Sequence, residues 1–170
     1  GTIWSVIKNV GDQVKQGDVL ALVDAAEVGQ LKSQLLKAKT QLDLDTKTFQ
    51  RFSKLGSDII PEQKIQEAQA AKSDSEFQLE STVQALANLG LLIEFDTIVV
   101  QPSIEVRANL RLLGIPKAII ESLDAAHTST NLIPVVSPRD GFVVMRNAVA
   151  GEVVETGKLL FTIANTKQMW

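Results

Sequence analysis

The two ends of this chain carry the same strand-turn-strand pattern, 140 positions apart and without a gap. The matching positions are Gly1 and Gly141, Gly11 and Gly151, Val14 and Val154, Gly17 and Gly157, and Leu20 and Leu160. Each copy reads as two short apolar strands joined by a turn that requires glycine, because glycine takes positive φ without strain. Two such halves must meet in space to bury their apolar faces, so the long middle segment leaves one half and returns to the other.

Composition places the chain among globular proteins and narrows its partners. Apolar residues make up 45% of its 170 residues, which is too many for a disordered chain. The formal net charge is −3, and no basic run is present, which argues against nucleic acid as a partner. No stretch reaches the roughly 18 apolar residues of a membrane span, and no signal peptide is recognised. Because strand patterns stand at both ends, we expect a fragment whose flanking domains and anchor lie elsewhere.

The middle of the chain is predicted to form an antiparallel helical hairpin. Residues 25–55 are rich in Leu, Lys, Gln and Ala, which favour helix, and apolar residues recur there at alternating spacings of three and four. Residues 56–58 end this first helix, and Pro61 begins a second that runs to about Leu89. The two apolar seams predict three facing pairs: Asp45 with Lys72, Phe49 with Ala68, and Phe52 with Ile65.

The following segment, residues 96–135, is predicted to be mixed and partly helical. Its residues 98–100, Ile-Val-Val, read as extended chain. Ser103 and Pro116 each suit the start of a short helix. Leu132 to Val136 reads as a return strand that leads the chain back towards the β-unit.

The sequence contains no recognisable catalytic or metal centre. There is no cysteine, and the single histidine, His127, and the methionines Met145 and Met169 fall on different predicted elements. A soft-metal cluster therefore cannot be assembled. No Ser/His/Asp set with a supporting motif and no glycine-rich phosphate loop is present. We predict no enzyme activity, no catalytic residue, no cofactor and no metal site.

The repeated unit resembles the biotinyl/lipoyl carrier domain. In carriers the modified lysine lies at the tip of the hairpin, commonly within Asp-Lys-Ala. Here the corresponding residues are Asp24-Ala25-Ala26 in the first half and Asn165 in the second. Lys32 lies inside a predicted helix and Lys167 lies beyond the last strand, so neither suits a swinging arm. A carrier domain is therefore the less favoured alternative.

A lipoyl-like domain split by a long helical hairpin, without the lysine, resembles the periplasmic adaptor (membrane fusion protein) family of tripartite efflux pumps. Residues 137–144, Ser-Pro-Arg-Asp-Gly-Phe-Val-Val, are similar to the family's AP-x-DG-x-V sequence that leads into the second half. Residues 88–91, Asn-Leu-Gly-Leu, and the final Met169-Trp170 are similar to adaptors of the heavy-metal branch of resistance–nodulation–division pumps.

The resemblance implies an α+β fold. A lipoyl-like β-sandwich or flattened barrel would be formed by residues 1–24 and 136–166. The α-helical coiled-coil hairpin, residues 25–95, would be inserted between these halves, and 96–135 would be the return segment. The barrel and membrane-proximal domains of the family would lie outside this chain.

The resemblance also implies a function. The full-length protein would be a periplasmic adaptor, anchored to the inner membrane, that bridges an inner-membrane efflux transporter and an outer-membrane channel. It would assemble with its own copies into a ring and serve the transport of metal ions or small toxic compounds. An adaptor of an ABC-type exporter or a type I secretion system shares this architecture and stays an alternative.

A short motif points to the tip of the hairpin as the partner-binding site. Many family members carry Arg-x3-Leu…Ser there, in contact with the outer-membrane channel. Arg51 and Leu55 match its first two positions, whereas Pro61 stands nearest to the place of the serine. The resemblance thus makes Arg51, Leu55, Ser57, Asp58 and Pro61 the candidate residues for partner binding.

Overall fold

A computed structural model of the chain describes residues 1–56, 58–121 and 129–165. The strands are β1 (Thr2–Val6), β2 (Gln13–Val14), β3 (Val19–Asp24), β4 (Leu132–Val136), β5 (Gly141–Arg146) and β6 (Phe161–Ala164). The helices are α1 (Ala26–Leu55), α2 (Glu62–Asn88), α3 (Phe95–Val100), α4 (Ser103–Arg111) and α5 (Lys117–Ile120). The predicted α+β class is confirmed.

The strands form two sheets, each built from both ends of the chain. One sheet has the order β1-β3-β4 and the other the order β2-β5-β6, and all pairs are antiparallel. These strands belong to one compact unit with residues 1–29 and those from 112 onwards, and residues 30–111 form a second unit. The finer domain boundaries given above, at 24, 95 and 136, stay predictions.

The sequence repeat is matched by a repeat of strand register. In the β1–β3 pair, Ile3 lies opposite Val23, and in the β5–β6 pair, Val143 lies opposite Ile163. All four registered positions of the first pair recur 140 residues later, and each pair has its irregularity after the same position, Ile3 or Val143. The two halves of the β-unit are therefore structural copies of each other.

The halves are joined by reciprocal hydrogen bonds. The Gly11 N–H donates to the Val143 carbonyl, and the Gly151 N–H donates to the Ile3 carbonyl, both at 2.8 Å. Gly11 and Gly151 have φ of 94° and 84°, values that an L side chain rarely adopts. The glycine of each turn thus allows one half to bind the strand of the other.

Among the described residues, three apolar clusters lie in the core of the β-unit. Two of them take residues from both repeats and are made of Ile3, Val23, Ala148 and Val154, and of Val14, Leu20 and Val143. The third joins β3 and β4 to the segment before α5 through Val19, Leu22, Ile115 and Leu132. Full burial of one such side chain contributes about 1.5–3 kcal/mol, so these clusters hold the two chain ends together.

Gly141 supplies a stability test for the repeat. A Cβ at this position would lie 2.3 Å from the Ala164 carbonyl oxygen, which belongs to the backbone of β6. We expect Gly141→Ala to lower the free energy of unfolding by about 2–3 kcal/mol, because β5 and β6 must separate to admit the methyl group. Chemical denaturation measures this loss. Val149→Ala, at an exposed position of the same half, is the control and should change it by about 0.5 kcal/mol or less. Equal stability of both variants would contradict the close approach.

The helices α1 and α2 lie where the two long helices were predicted, and α2 begins one residue later than expected, at Glu62 after Pro61. With 30 and 27 residues, they are about 45 and 40 Å long at 1.5 Å per residue. The predicted seam positions are buried or half-buried along both helices. The completely buried ones include Leu35, Leu79 and Leu86.

Asp45 and Lys72, which were predicted to face each other, each bind another side chain, and the contact of Asp45 with Ser75 keeps α2 within one helical turn of the predicted register. Among the described residues, the Asp45 carboxylate accepts hydrogen bonds from Ser75 on α2 and from Gln41 on its own helix. Lys72 instead pairs with Glu76 at 2.9 Å. Groups four residues apart on one helix already lie on the same face, so Lys72 reaches Glu76 without bridging two helices.

Residues 98–100 are helical, so the prediction of extended chain there is wrong. They belong to α3, in which Ile98 is buried while Val100 is 85% exposed. The segment is tied to α1, since the buried amine of Lys39 donates a 2.9 Å hydrogen bond to the Val99 carbonyl. Packing thus overrides the strand preference of β-branched residues. The short helices after Ser103 and Pro116 and the strand β4 are confirmed.

Lys32, in the second turn of α1, gives the fold a dependence on alkaline pH. Burial lowers the pKa of its amine from 10.5 to about 8. The Nζ atom donates to the Arg111 carbonyl at 3.4 Å. Between pH 8 and 10.5 the unfolded chain therefore binds more protons at this residue than the folded chain, so the free energy of unfolding should rise with pH in this window.

We expect Lys32→Met to remove this rise, because the variant carries no amine to titrate. The chain contains no tyrosine or cysteine, so these two residue types do not contribute to the slope. Denaturation midpoints at pH 7, 8, 9 and 10 provide the measurement. Lys37→Met, at an exposed position of α1, should keep the rise. The same slope in both variants would show that Lys32 titrates normally.

Candidate partner-binding site

The turn between α1 and α2 is built by a glycine and a proline. Gly56 ends α1 with φ of 70°, and its N–H donates to the Phe52 carbonyl at 3.2 Å. A residue with positive φ just after the last turn is a common way to end a helix. Pro61 precedes α2, and its carbonyl accepts from the Lys64 N–H at 2.8 Å. These contacts hold the two ends of the connection between α1 and α2.

The candidate residues are exposed where the structure describes them. Leu55 is 43% exposed, and the side chains of Arg51, Asp58 and Pro61 are exposed as well. Ser57 lies outside the described residues. The neighbouring Ile59 is 68% exposed, so the turn presents apolar surface to solvent.

Arg51 is oriented by its neighbour on α1. Its guanidinium carbon lies 5.4 Å from the centre of the Phe52 ring, within the range of a cation–π contact. Leu55 follows Arg51 by four residues, which puts the two side chains on the same face of the helix. The charge and the apolar group of the predicted motif are therefore adjacent.

The structure adds two basic residues that the motif does not contain. Lys47 and Lys54 line one shallow depression with Gln50, Arg51 and Leu55. The spacing of Lys47, Arg51 and Lys54 could have revealed this face, since residues four and seven positions apart lie close on a helix. The outer surface of α1 near the turn thus combines three cations with one leucine, which suits a partner with carboxylates beside an apolar group.

A junction between a strand and a helix stands where a carrier domain has its modified lysine. In the first half β3 ends at Asp24 and α1 begins at Ala26, and the Ala25 N–H between them donates to the Asn131 carbonyl at 3.1 Å. This junction holds neither a lysine nor a tight exposed turn. A swinging arm has no attachment point there.

The described residues contain no group of three or more His, Cys, Asp and Glu side chains that could hold a metal ion. Within the same ranges, no helix has the length and apolar character needed to cross a membrane.

Comparison with known proteins places the chain in a protein family. Residues 1–165 match the family described as the CzcB-like, barrel-sandwich hybrid domain. The whole chain is 25% identical to the cobalt-zinc-cadmium resistance protein CzcB of Cupriavidus metallidurans, of which it covers 27%. It is 38% identical to the nickel and cobalt resistance protein CnrB of the same organism, over 72 residues that make up 42% of this chain and 18% of CnrB. The chain thus spans about a quarter of the length of CzcB.

Solved structures share the fold. The crystal structure of ZneB from Cupriavidus metallidurans matches 98% of this chain and 57% of its own length, with a TM-score of 0.58 and 24% identity. The crystal structure of a putative efflux transporter from Bacteroides eggerthii matches 98% of this chain and 37% of its own length, with a TM-score of 0.51 and 16% identity. At these identities the likeness shows a common fold.

Proposed function

Because the chain belongs to the CzcB-like barrel-sandwich hybrid domain family, we propose that it is part of a periplasmic adaptor that links an inner-membrane efflux transporter to an outer-membrane channel. The family is one of membrane fusion adaptors, which are not enzymes. In the longer protein an anchor would hold the adaptor at the inner membrane. The observation that carries this proposal is the match to the family over residues 1–165.

The cargo is a divalent transition-metal cation under this proposal. CzcB is named for resistance to cobalt, zinc and cadmium, and CnrB for resistance to nickel and cobalt.

The helices α1 and α2 would form the coiled-coil hairpin that reaches the channel. The contact of Asp45 with Ser75 and the buried seam residues of both helices support their packing against each other. The surface around Arg51, Leu55, Asp58 and Pro61, with Ser57, would then bind the channel. Several copies would act together in a ring, because many weak tip contacts add up to strong binding when they are linked.

Deletion of the gene in its own host tests the proposed function. Loss of the adaptor should lower the highest tolerated concentration of zinc, cobalt, cadmium or nickel several-fold, and the full-length gene should restore it. Retention of labelled metal by the deletion strain would show that export is the step affected. Unchanged metal tolerance together with loss of protein or peptide secretion would instead favour the alternative adaptor classes.

A further inference from the structure

The seam between α1 and α2 is buried in one half of the helix pair and only half-buried in the other. The base half is residues 30–44 with 76–88, and the tip half, next to the turn, is residues 46–55 with 62–74. In the base half the seam is buried at Leu35, Leu42, Leu79 and Leu86. In the tip half the large apolar seam residues are half-buried, namely Phe49, Phe52 and Ile65. Apolar packing therefore holds the two helices together less firmly near the turn.

The base half is also held by the short helices α3 and α4. Lys39 of α1 donates to the Val99 carbonyl of α3 at 2.9 Å, and Asp43 accepts from Ser103 at the start of α4 at 2.8 Å. In the tip half, among the residues that the structure describes, each side-chain hydrogen bond or ion pair stays within one helix. Polar contacts thus fix α1 from several sides up to Asp43 and not beyond it.

A polar contact between α1 and α2 stands at the border of the two halves. The hydroxyl of Ser75, a side chain that is 6% exposed, donates to the carboxylate of Asp45. This carboxylate also accepts from the Gln41 side chain at 3.0 Å. A hydrogen bond depends on distance and angle, whereas apolar contact has no direction. One polar contact within an apolar seam can therefore specify the register of two helices, at a cost in stability.

The candidate partner-binding surface depends on that register, because it takes residues from both sides of the turn. Arg51 and Leu55 lie on α1, and Pro61 directly precedes α2. A slide of α1 along α2 by one helical turn would move Arg51 and Leu55 by about 5.4 Å against the facing helix. Such a shift would change the surface without exposing any buried leucine of the tip half.

We propose that Asp45 and Ser75 are positioning residues for partner binding. Their contact fixes the register of the tip half and so holds Arg51 and Leu55 in one arrangement relative to Pro61. The helices do not need this contact to stay together, since the base half is packed independently of it. The inference rests on the proposed binding of the channel by the tip, but the register itself is measurable without a channel.

Distances between spin labels test the register. The chain has no cysteine, so labels can be attached at the exposed positions Ser53→Cys and Gln66→Cys in the tip half. The unsubstituted contact should give one narrow distance distribution. Ser75→Ala and Asp45→Leu should each add a second distance, because a slide by one turn moves a label by about 5.4 Å.

A matched control removes another buried hydroxyl. Thr82 is 9% exposed, but its hydroxyl donates to the Gln78 carbonyl of its own helix at 2.9 Å. Thr82→Val should therefore keep the single narrow distribution. Labels at the exposed positions Gln34→Cys and Gln84→Cys, in the base half, should report one distance in every variant.

Melting and channel capture separate positioning from stability. Asp45→Leu should melt at the same or a higher temperature, because an apolar side chain replaces a half-buried carboxylate in the seam. The Ser75 oxygen still lies 3.0 Å from the Ala71 carbonyl, so its hydroxyl keeps a partner. The full-length adaptor with Asp45→Leu should nevertheless capture several-fold less channel from detergent extracts. Asp45→Asn, which can still accept from Ser75, should restore capture and the single distance.

Three results would overturn the proposal: a single distance in both Ser75→Ala and Asp45→Leu, a second distance that appears only together with a lower melting temperature, or a second distance with normal capture. Failure of the unsubstituted adaptor to capture the channel would refute the proposed function instead, and the label distances would still decide the register.

Discussion

Cells that carry Arg51→Asp and Leu55→Ser in the full-length protein should lose metal resistance while producing the adaptor at its normal level. Arg51→Asp reverses the charge of the basic face of α1, and Leu55→Ser removes the apolar group beside it. Both side chains are exposed, so each change should alter the free energy of unfolding by only about 0.5 kcal/mol, apart from the contact of Arg51 with Phe52. The expected loss of function is therefore a loss of binding rather than of folding.

A matched control lies on the same helix. Lys37→Asp with Leu44→Ser makes the same chemical changes at exposed positions away from the turn. This variant should keep resistance and should still be captured with the outer-membrane channel from detergent extracts, whereas the tip variant should not. Full resistance of the tip variant at normal expression would show that the channel binds elsewhere on the adaptor.

The second large effect concerns an ion pair on α1 in which the amine of Lys39 is buried and the carboxylate of Asp43 is one-third exposed. Asp43→Ala should lower the free energy of unfolding by about 3–5 kcal/mol, because it leaves the amine of Lys39 buried without its carboxylate. Lys39 is 2% exposed, and its Nζ atom lies 2.6 Å from Asp43 and 2.9 Å from the Val99 carbonyl. Asp43 also accepts a 2.8 Å hydrogen bond from Ser103 at the start of α4. The substitution therefore removes contacts that bind α1 to α3 and α4.

Two further variants separate the effect of the buried Lys39 amine from the effect of losing an ion pair. Glu76→Ala breaks a pair of the same spacing with Lys72, but both side chains there are partly exposed, so the loss should be about 0.3–0.5 kcal/mol. Lys39→Met combined with Asp43→Ala should recover much of the lost stability, since no unpaired charge remains buried. Urea denaturation of these proteins measures the differences. A loss for Asp43→Ala no larger than that for Glu76→Ala would contradict the role of burial.

The sequence predicted the elements whose pattern is local or repeated. The glycines of the repeat indicated the turns at Gly11 and Gly151, and the apolar spacing indicated α1 and α2. The partners of Asp45 and Lys72 were not predictable from apolar spacing. Each of these side chains can bind a group on its own helix or a group on the facing helix, and the spacing does not distinguish the two. The helix α3 was also missed, and its contacts include Lys39, which is 60 residues away in the sequence. The strand preference of Ile-Val-Val is a local property, so it carries no information about a contact with Lys39.

The candidate site shows the same limit. The motif indicated Arg51 and Leu55, and the structure adds Lys47 and Lys54 to the same face. A motif describes residue types at fixed spacings, whereas the surface that a partner meets includes every side chain on that face. Neither the motif nor the surface identifies the partner protein. The identity of the partner follows from the proposed function and is checked by its tests.

The reciprocal bonds of Gly11 and Gly151 have a consequence for how the protein is made. Each half of the β-unit holds groups that only the other half can satisfy, and the two are separated by 140 residues. At about 5–20 residues per second, the first half would wait roughly 7–28 s on the ribosome before its counterpart is synthesised. The long helices can form locally during this interval, but the strands β1 to β3 cannot complete their sheets. Nascent chains should therefore expose these strands to chaperones and to one another until synthesis is nearly finished.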